Sequence, residues 1–127
     1  MQNYCPVYRS GKLMKEGRKK LLKLFEDFKK IKINDKTIVW NTEVIEAYEL
    51  QNLLLQALAS IDSALNRTES RGAHARMDYL NRNDKKWMKH TMVSVNVIGK
   101  SIIQYRKVNL KTNSKEIKTI EPKARVY

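Results

Sequence analysis

The residue types able to do chemistry crowd into one short block of this 127-residue chain: Glu69, Ser70, Arg71, Gly72, His74, Arg76 and Asp78. Two guanidiniums flank an imidazole around a glycine, with an acid at either end. Arginine offers a planar fork matched to a carboxylate and histidine titrates near physiological pH, so Arg71, His74 and Arg76 could together grip a dicarboxylate. The same residues have a plainer use. Arg71 and Arg76 can pair with Glu69, Asp78 or Asp84 and with backbone carbonyls, fixing the chain as it leaves a helix. Buried groups of this kind need partners, and the structural use is the one we expect.

Other chemistries find less support. His74 and His90 are the only histidines, and without flanking thiolates or a carboxylate at ligand spacing they do not make a metal site. Ser70 and the single cysteine, Cys5, lack a base placed to activate them. One cysteine also excludes an internal disulfide and suits a reducing compartment. The glycines, Gly11, Gly17, Gly72 and Gly99, are not spaced to cradle a phosphate.

The element that must hold the polar block is the helix before it. From Thr42 to about Asn66 there is no glycine or proline, and Val44, Ile45, Tyr48, Leu53, Leu55, Leu58, Ile61 and Leu65, with Leu50, Leu54 and Ala57 beside them, make most of its surface apolar. A helix that apolar is expected to be packed on several sides. Asn41 or Thr42 supplies the cap, Glu43 and Glu46 suit the positive helix start, and Trp40 is placed to staple back on the first turns.

A second helix is expected from Gly11 to about Lys32, capped by Ser10, with Met14, Gly17, Leu21, Leu24, Phe28 and Ile31 on one face and lysines on the rest. Asn34-Asp35-Lys36 marks a turn between the two, and Thr37–Trp40 an extended approach. Met1–Tyr8 has no start signal, and Pro6 limits any helix there. Beyond Asp78, Tyr79–Lys89 reads as a polar loop. Thr91–Ile98 and Ser101–Val108 alternate with period two around Gly99-Lys100, which predicts a β-hairpin lying against the helices. Lys111–Glu116 reads as a loop, and Thr119–Tyr127 as an extended tail held by Pro122.

The formal net charge is +13, from 26 Lys and Arg against 13 Asp and Glu. Taken alone that balance suggests nucleic acid or an anionic membrane. The cations are spread over Arg9–Lys36, Arg82–Lys89 and Lys100–Lys123 rather than gathered in one stripe, which favours solvated helix faces. No apolar run is long enough to span a membrane and no signal peptide is present, so the expectation is a soluble polypeptide.

MQN at Met1–Asn3, WNTEVIEAYELQNLL at Trp40–Leu54, ESRGAHAR with Asp78 at Glu69–Asp78, WMKHT at Trp87–Thr91 and PKARVY at Pro122–Tyr127 carry a resemblance over essentially the whole chain. It resembles the C-terminal helical domain of succinate dehydrogenase and fumarate reductase flavoprotein subunits, closest to succinate dehydrogenase. The resemblance implies a mainly α fold: a spectrin-like three-helix bundle with its first helix truncated, then the hairpin and the extended tail. It further implies one domain, divided into a bundle at 1–67, an interface motif and loop at 68–90, and the hairpin and tail at 91–127, cut from a larger flavoprotein subunit.

By the same resemblance no catalytic, cofactor-binding or metal-binding residue is present. FAD would belong to the complete subunit, which oxidises succinate to fumarate and passes electrons to an iron–sulfur subunit. Glu69, Ser70, Arg71, Gly72, His74, Arg76 and Asp78 would face the FAD-binding and capping domains. The partners implied are the rest of that subunit and the iron–sulfur subunit, with no nucleic acid and only indirect contact with a membrane. The place implied is the cytoplasmic face of a bacterial inner membrane or the matrix side of a mitochondrial one. A fumarate reductase or L-aspartate oxidase domain is the alternative within the family, and a basic nucleic-acid or anionic-membrane module the alternative outside it. Met77 and Leu80 depart from the family pattern, which has an acid and often a proline there. These departures predict fewer partners for the arginines and a looser loop.

Overall fold

The computed structural model describes residues 1–114 and 116–123, so the last residues of PKARVY lie outside the described residues. In chain order the elements are β1 (Tyr8–Arg9), α1 (Gly11–Phe28), α2 (Thr42–Asn66), β2 (Ala75–Arg76), α3 (Asp84–Trp87), β3 (Lys89–Val95) and β4 (Ser101–Lys107). Both long helices begin where their caps were expected. Ser10 Oγ accepts the Leu13 N–H, and Asn41 Oδ1 accepts the Val44 N–H at 3.0 Å.

Met14, Leu21 and Phe25 of α1 bury against Leu54, Leu58, Ile61 and Ala64 of α2, and this is the core. The hairpin β3–β4 is antiparallel, with Val93 opposite Ile103 and Val95 opposite Ser101. Val95 packs on the core, and the turn at Gly99 lies over Leu58 and Phe25. Burying this apolar area is the main stabilising term. One buried polar group crosses it: Asp62 of α2 accepts from Arg18 of α1 and from the Ser101 hydroxyl.

The helical domain with its hairpin is as expected, but the structure corrects several details. The segment before β1 holds a single turn, with the Tyr4 and Cys5 N–H groups donating to the Met1 carbonyl, and Tyr8–Arg9 then pairs in parallel with Ala75–Arg76. Among the described residues, therefore, two long helices and the hairpin make the layers, rather than three helices. α1 stops at Phe28, because bonds from Lys30 to Asp27 and from Ile31 to Phe28 tighten its end into a turn. The polar loop after Asp78 contains α3, one turn capped by Asn83. Trp40 is no staple: it is 89% exposed, with φ 57°. The apolar surface of α2 is covered only over its second half, while Ile45, Tyr48, Leu50 and Leu53 face solvent. Among the described residues no helix is long and apolar enough to cross a membrane.

Candidate functional site

The polar block folds into a knot at the C-terminal end of α2, and the structure brings all its expected residues together. A helix end leaves carbonyls without intrahelical partners and carries partial negative charge. Arg76, 3% exposed, meets both needs: its Nη1 donates to the carbonyls of Ala64 at 3.0 Å, Arg67 at 3.2 Å and Leu65 at 3.4 Å. Its other nitrogens hold Asp78, Nε to Oδ1 and Nη2 to Oδ2, each at 2.7 Å. Asp78 also accepts the Gly11 N–H at 2.9 Å, which ties the start of α1 to the end of α2. With the Arg76 fork first and the Gly11 N–H adding to it, the Asp78 carboxyl is held well below the usual carboxylate range.

Glu69 is the centre of the knot and is fully buried. Arg71 grips it with Nε at 2.8 Å and Nη2 at 3.0 Å, Arg67 donates to Oε1, and the Asn83 N–H donates to Oε2 at 2.8 Å. Burial by itself would push this carboxyl up. The donors from Arg71, Asn83 and Arg67 outweigh it and hold the group below its ordinary value. Arg71 Nη2 also reaches Asp84 at 2.6 Å, and Arg82 forks onto the same acid. Arg82 first and Arg71 second depress the Asp84 carboxyl.

His74 bridges one donor and one acceptor in a way that fixes its tautomer. The carbonyl of Arg67, 3.1 Å from Nε2, can only accept, and Arg9 Nη1, 2.9 Å from Nδ1, can only donate. The ring is therefore neutral, with its hydrogen on Nε2. Burial first, then the nearby charges of Arg9, Arg76 and Arg67, push its pKa down. Ser70 Oγ accepts the Arg76 N–H at 2.8 Å and donates to the Tyr79 carbonyl at 2.7 Å, so its hydroxyl holds backbone rather than waiting as a nucleophile. Gly72 sits at the exposed tip of the turn with φ 55°, a conformation that suits glycine.

A groove of about 580 Å³ lies over the knot, lined by Tyr8, Arg71, Gly72, Arg76, Leu80 and Arg82 among others. Each of its guanidiniums already holds a carboxylate of this chain, so it offers no open fork for a dicarboxylate. Met77 and Leu80 are 65% and 75% exposed. The loosening predicted from these two departures does not reach Arg76, whose acid is Asp78. Among the described residues no group of His, Cys, Asp and Glu is placed to hold a metal ion.

Sequence reasoning missed Arg67 and Arg9. Arg67 links α2 to the far side of the knot, donating to Glu69 and to the carbonyls of Trp87 and Lys89. A cation directly after the last helical residue was a usable signal for it. Arg9 gave none, because its partner His74 lies 65 residues away.

Comparison with known proteins agrees with this architecture. Residues 1–127 match the family described as fumarate reductase flavoprotein C-term. The chain is 47% identical over its full length to the succinate dehydrogenase flavoprotein subunit of Rickettsia bellii, covering 21% of that protein. It is 42% identical, again over its full length, to the mitochondrial succinate dehydrogenase flavoprotein subunit of Oryza sativa, covering 20% of it. In structure, 93% of the chain superposes on 20% of the FrdA chain of E. coli quinol fumarate reductase, with TM-score 0.85 and 35% identity. The chain thus spans about a fifth of the length of the relatives it matches. A match that runs from the first residue to the last places this chain in the family of fumarate reductase flavoprotein C-terminal domains.

Proposed function

We propose that this chain is the C-terminal helical domain of a succinate dehydrogenase flavoprotein subunit. Its work is mechanical: it braces the FAD-binding and capping domains of a subunit that oxidises succinate to fumarate and hands electrons to an iron–sulfur subunit. The observation that carries the reading is the 47% identity over all 127 residues to a succinate dehydrogenase flavoprotein subunit. A bracing role is consistent with the knot, in which Arg71, Arg76 and Arg82 each hold an acid of this chain.

The uncovered half of α2 supports the bracing role too. Ile45, Tyr48 and Leu53 stand exposed, and Tyr48 also lines a groove of about 310 Å³ with Phe28, Ile31, Ile33 and Val44. A helix from the preceding part of the subunit would complete a three-helix bundle there. The divisions at 1–67, 68–90 and 91–127 then have separate uses, as bundle, as contact with the flavin domain and as hairpin cover. The complex would sit peripherally on the cytoplasmic or matrix side of its membrane. A fumarate reductase reading has the 35% identity and close superposition on the E. coli chain in its favour, and the higher identities to succinate dehydrogenases rank it second.

The test is complementation. A related succinate dehydrogenase flavoprotein lacking its last fifth is co-expressed with this chain, and succinate-dependent dye reduction is measured. The expected result is activity only when both pieces are present, with no flavin bound by the chain alone. Failure of the pieces to associate, or turnover by the chain alone, overturns the reading.

A further inference from the structure

The open end of the hairpin sets like charges against each other. In the β3–β4 register Lys89 stands directly opposite Lys107. Like charges so placed weaken a strand pair. Lys85 and Lys86 enter the same region from α3. The Lys86 and Lys89 ammoniums lie 5.1 and 5.2 Å from the centre of the Trp87 ring, and Lys89 is also 3.8 Å from that of Tyr105.

Among the described residues none of Lys85, Lys86, Lys89, Arg106 and Lys107 has a carboxylate within 4.0 Å. The contrast with the adjoining knot is sharp, because Arg67, Arg71, Arg76 and Arg82 there each hold an acid. A groove of about 460 Å³ opens beside this basic end, lined by Arg67, Trp87, Lys89, His90, Thr91 and Val108 among others. Trp87 is 3% exposed, and its indole N–H has no hydrogen-bond partner among the described residues, which is a costly state for a buried donor.

We infer that this basic end of the hairpin, with the Trp87 groove, is a docking site for an acidic segment of a partner polypeptide. Asp or Glu side chains of that segment lie along Lys86, Lys89 and Lys107 and remove the repulsion across the strands. The patch suits carboxylates better than nucleic acid: Trp87 is buried and Tyr105 carries the Lys89 ammonium, so neither offers a base a face to stack on. A recessed groove also suits a peptide better than a flat bilayer. Lys86, Trp87 and Lys89 lie at the end of the 68–90 stretch given to the flavin-domain contact above, and the site makes no use of the knot's ion pairs.

Hexaglutamate titrated into the chain, followed by its amide NMR signals, tests this. The expected shifts fall on Lys86, Lys89 and Lys107 and on the Trp87 indole N–H, with affinity dropping about tenfold between low and physiological salt. Lys107→Glu places an acid opposite Lys89, so it should raise the thermal midpoint and abolish those shifts together, with Lys107→Gln intermediate in both. Shifts spread evenly over all lysines, or hexaglutamate binding unchanged in both variants, overturn the inference. So does tighter binding of duplex DNA or of phosphatidylserine vesicles at the same residues.

Discussion

Arg76 and Asp78 meet in a two-pronged ion pair, at 2.7 Å on each prong, with the guanidinium buried and the carboxylate 37% exposed at the side chain. The pair leaves Arg76 Nη1 to close the last carbonyls of α2, so one side chain both ends a helix and anchors the start of another. Arg76→Leu strands those carbonyls and the acid, and should cost about 3 kcal/mol. Asp78→Asn, at the solvated side of the pair, should cost about 1 kcal/mol. Urea unfolding midpoints check the order, and an Arg76→Leu protein as stable as the wild type refutes the capping role.

Glu69 receives donors from Arg67, Arg71 and Asn83 while wholly shielded from water. Removing its charge leaves two half-buried guanidiniums, of Arg67 and Arg71, facing an uncharged amide, the costly half of a broken pair whose acid is fully buried. Glu69→Gln should therefore destabilise by about 3–5 kcal/mol, more than any other single substitution in the knot. Chemical denaturation of the substitution series gives the ranking directly.

Much of this site could be read from the sequence because its ion pairs are local. Arg71 with Glu69 and Arg76 with Asp78 are two residues apart, and the caps Ser10 and Asn41 sit beside the helices they start. The hairpin was legible from the alternation of Val93 and Val95 against Ser94 and Asn96. What stayed hidden depends on distance along the chain. Arg9 meets His74 only because β1 pairs with β2, and no pattern in either segment encodes that parallel bridge. Half-burial of α2 was hidden for another reason: an apolar face states that it favours cover, while Ile45 and Leu53 carry no information about what supplies it.

The pH dependence comes from two sets of groups. His74 titrates below its ordinary 6.5 in the folded chain, with burial the first cause, so the unfolded chain takes up this proton more readily. Its stabilisation is fully present above pH 6.5 and falls as the pH is lowered through and below that value. The carboxyls of Asp78 and Asp84, ordinarily 3.8, and of Glu69, ordinarily 4.5, are also lowered. Their contribution is complete above those values and is lost as the pH falls further, toward their folded values. Unfolding midpoints should thus decline in two steps. Glutamine can both donate and accept, so His74→Gln should flatten the upper step between about pH 7 and pH 5 and leave the acid step in place.

Gly17 lies where the first turn of the chain crosses α1. A β-carbon there would collide with Tyr4 Cβ and sit 2.9 Å from Tyr4 Cγ and 3.1 Å from Ile61 Cδ1. Inside an unobstructed helix Gly→Ala stabilises by about 1 kcal/mol. Here the contact reverses the sign, and Gly17→Ala should destabilise by about 1–2 kcal/mol. A Tyr4→Gly background removes the two tightest contacts and leaves Ile61 Cδ1 at 3.1 Å, so the same change should be clearly less destabilising there. Thermal melts of the four proteins in this cycle measure the coupling.

Trp40 combines two costs, a strained backbone and an exposed indole. Its φ of 57° is strained for a bulky residue, at about 1 kcal/mol, and its ring is 89% exposed beside Ile38 at 97% and Val39 at 72%. The Asn41 amide, bonded to the carbonyls of Asp35 and Thr37 at 2.9 Å, helps hold the turn that presents it. Trp40→Gly accepts the backbone conformation without strain and should stabilise the isolated chain by about 1 kcal/mol in thermal unfolding. If the strained ring is kept for contact with the preceding part of the subunit, the same variant should lose at least about 1 kcal/mol of affinity for a flavoprotein lacking its last fifth, measured by calorimetry. A variant that gains stability and keeps full affinity would leave Trp40 without a role in that contact, and would move the interface toward the knot.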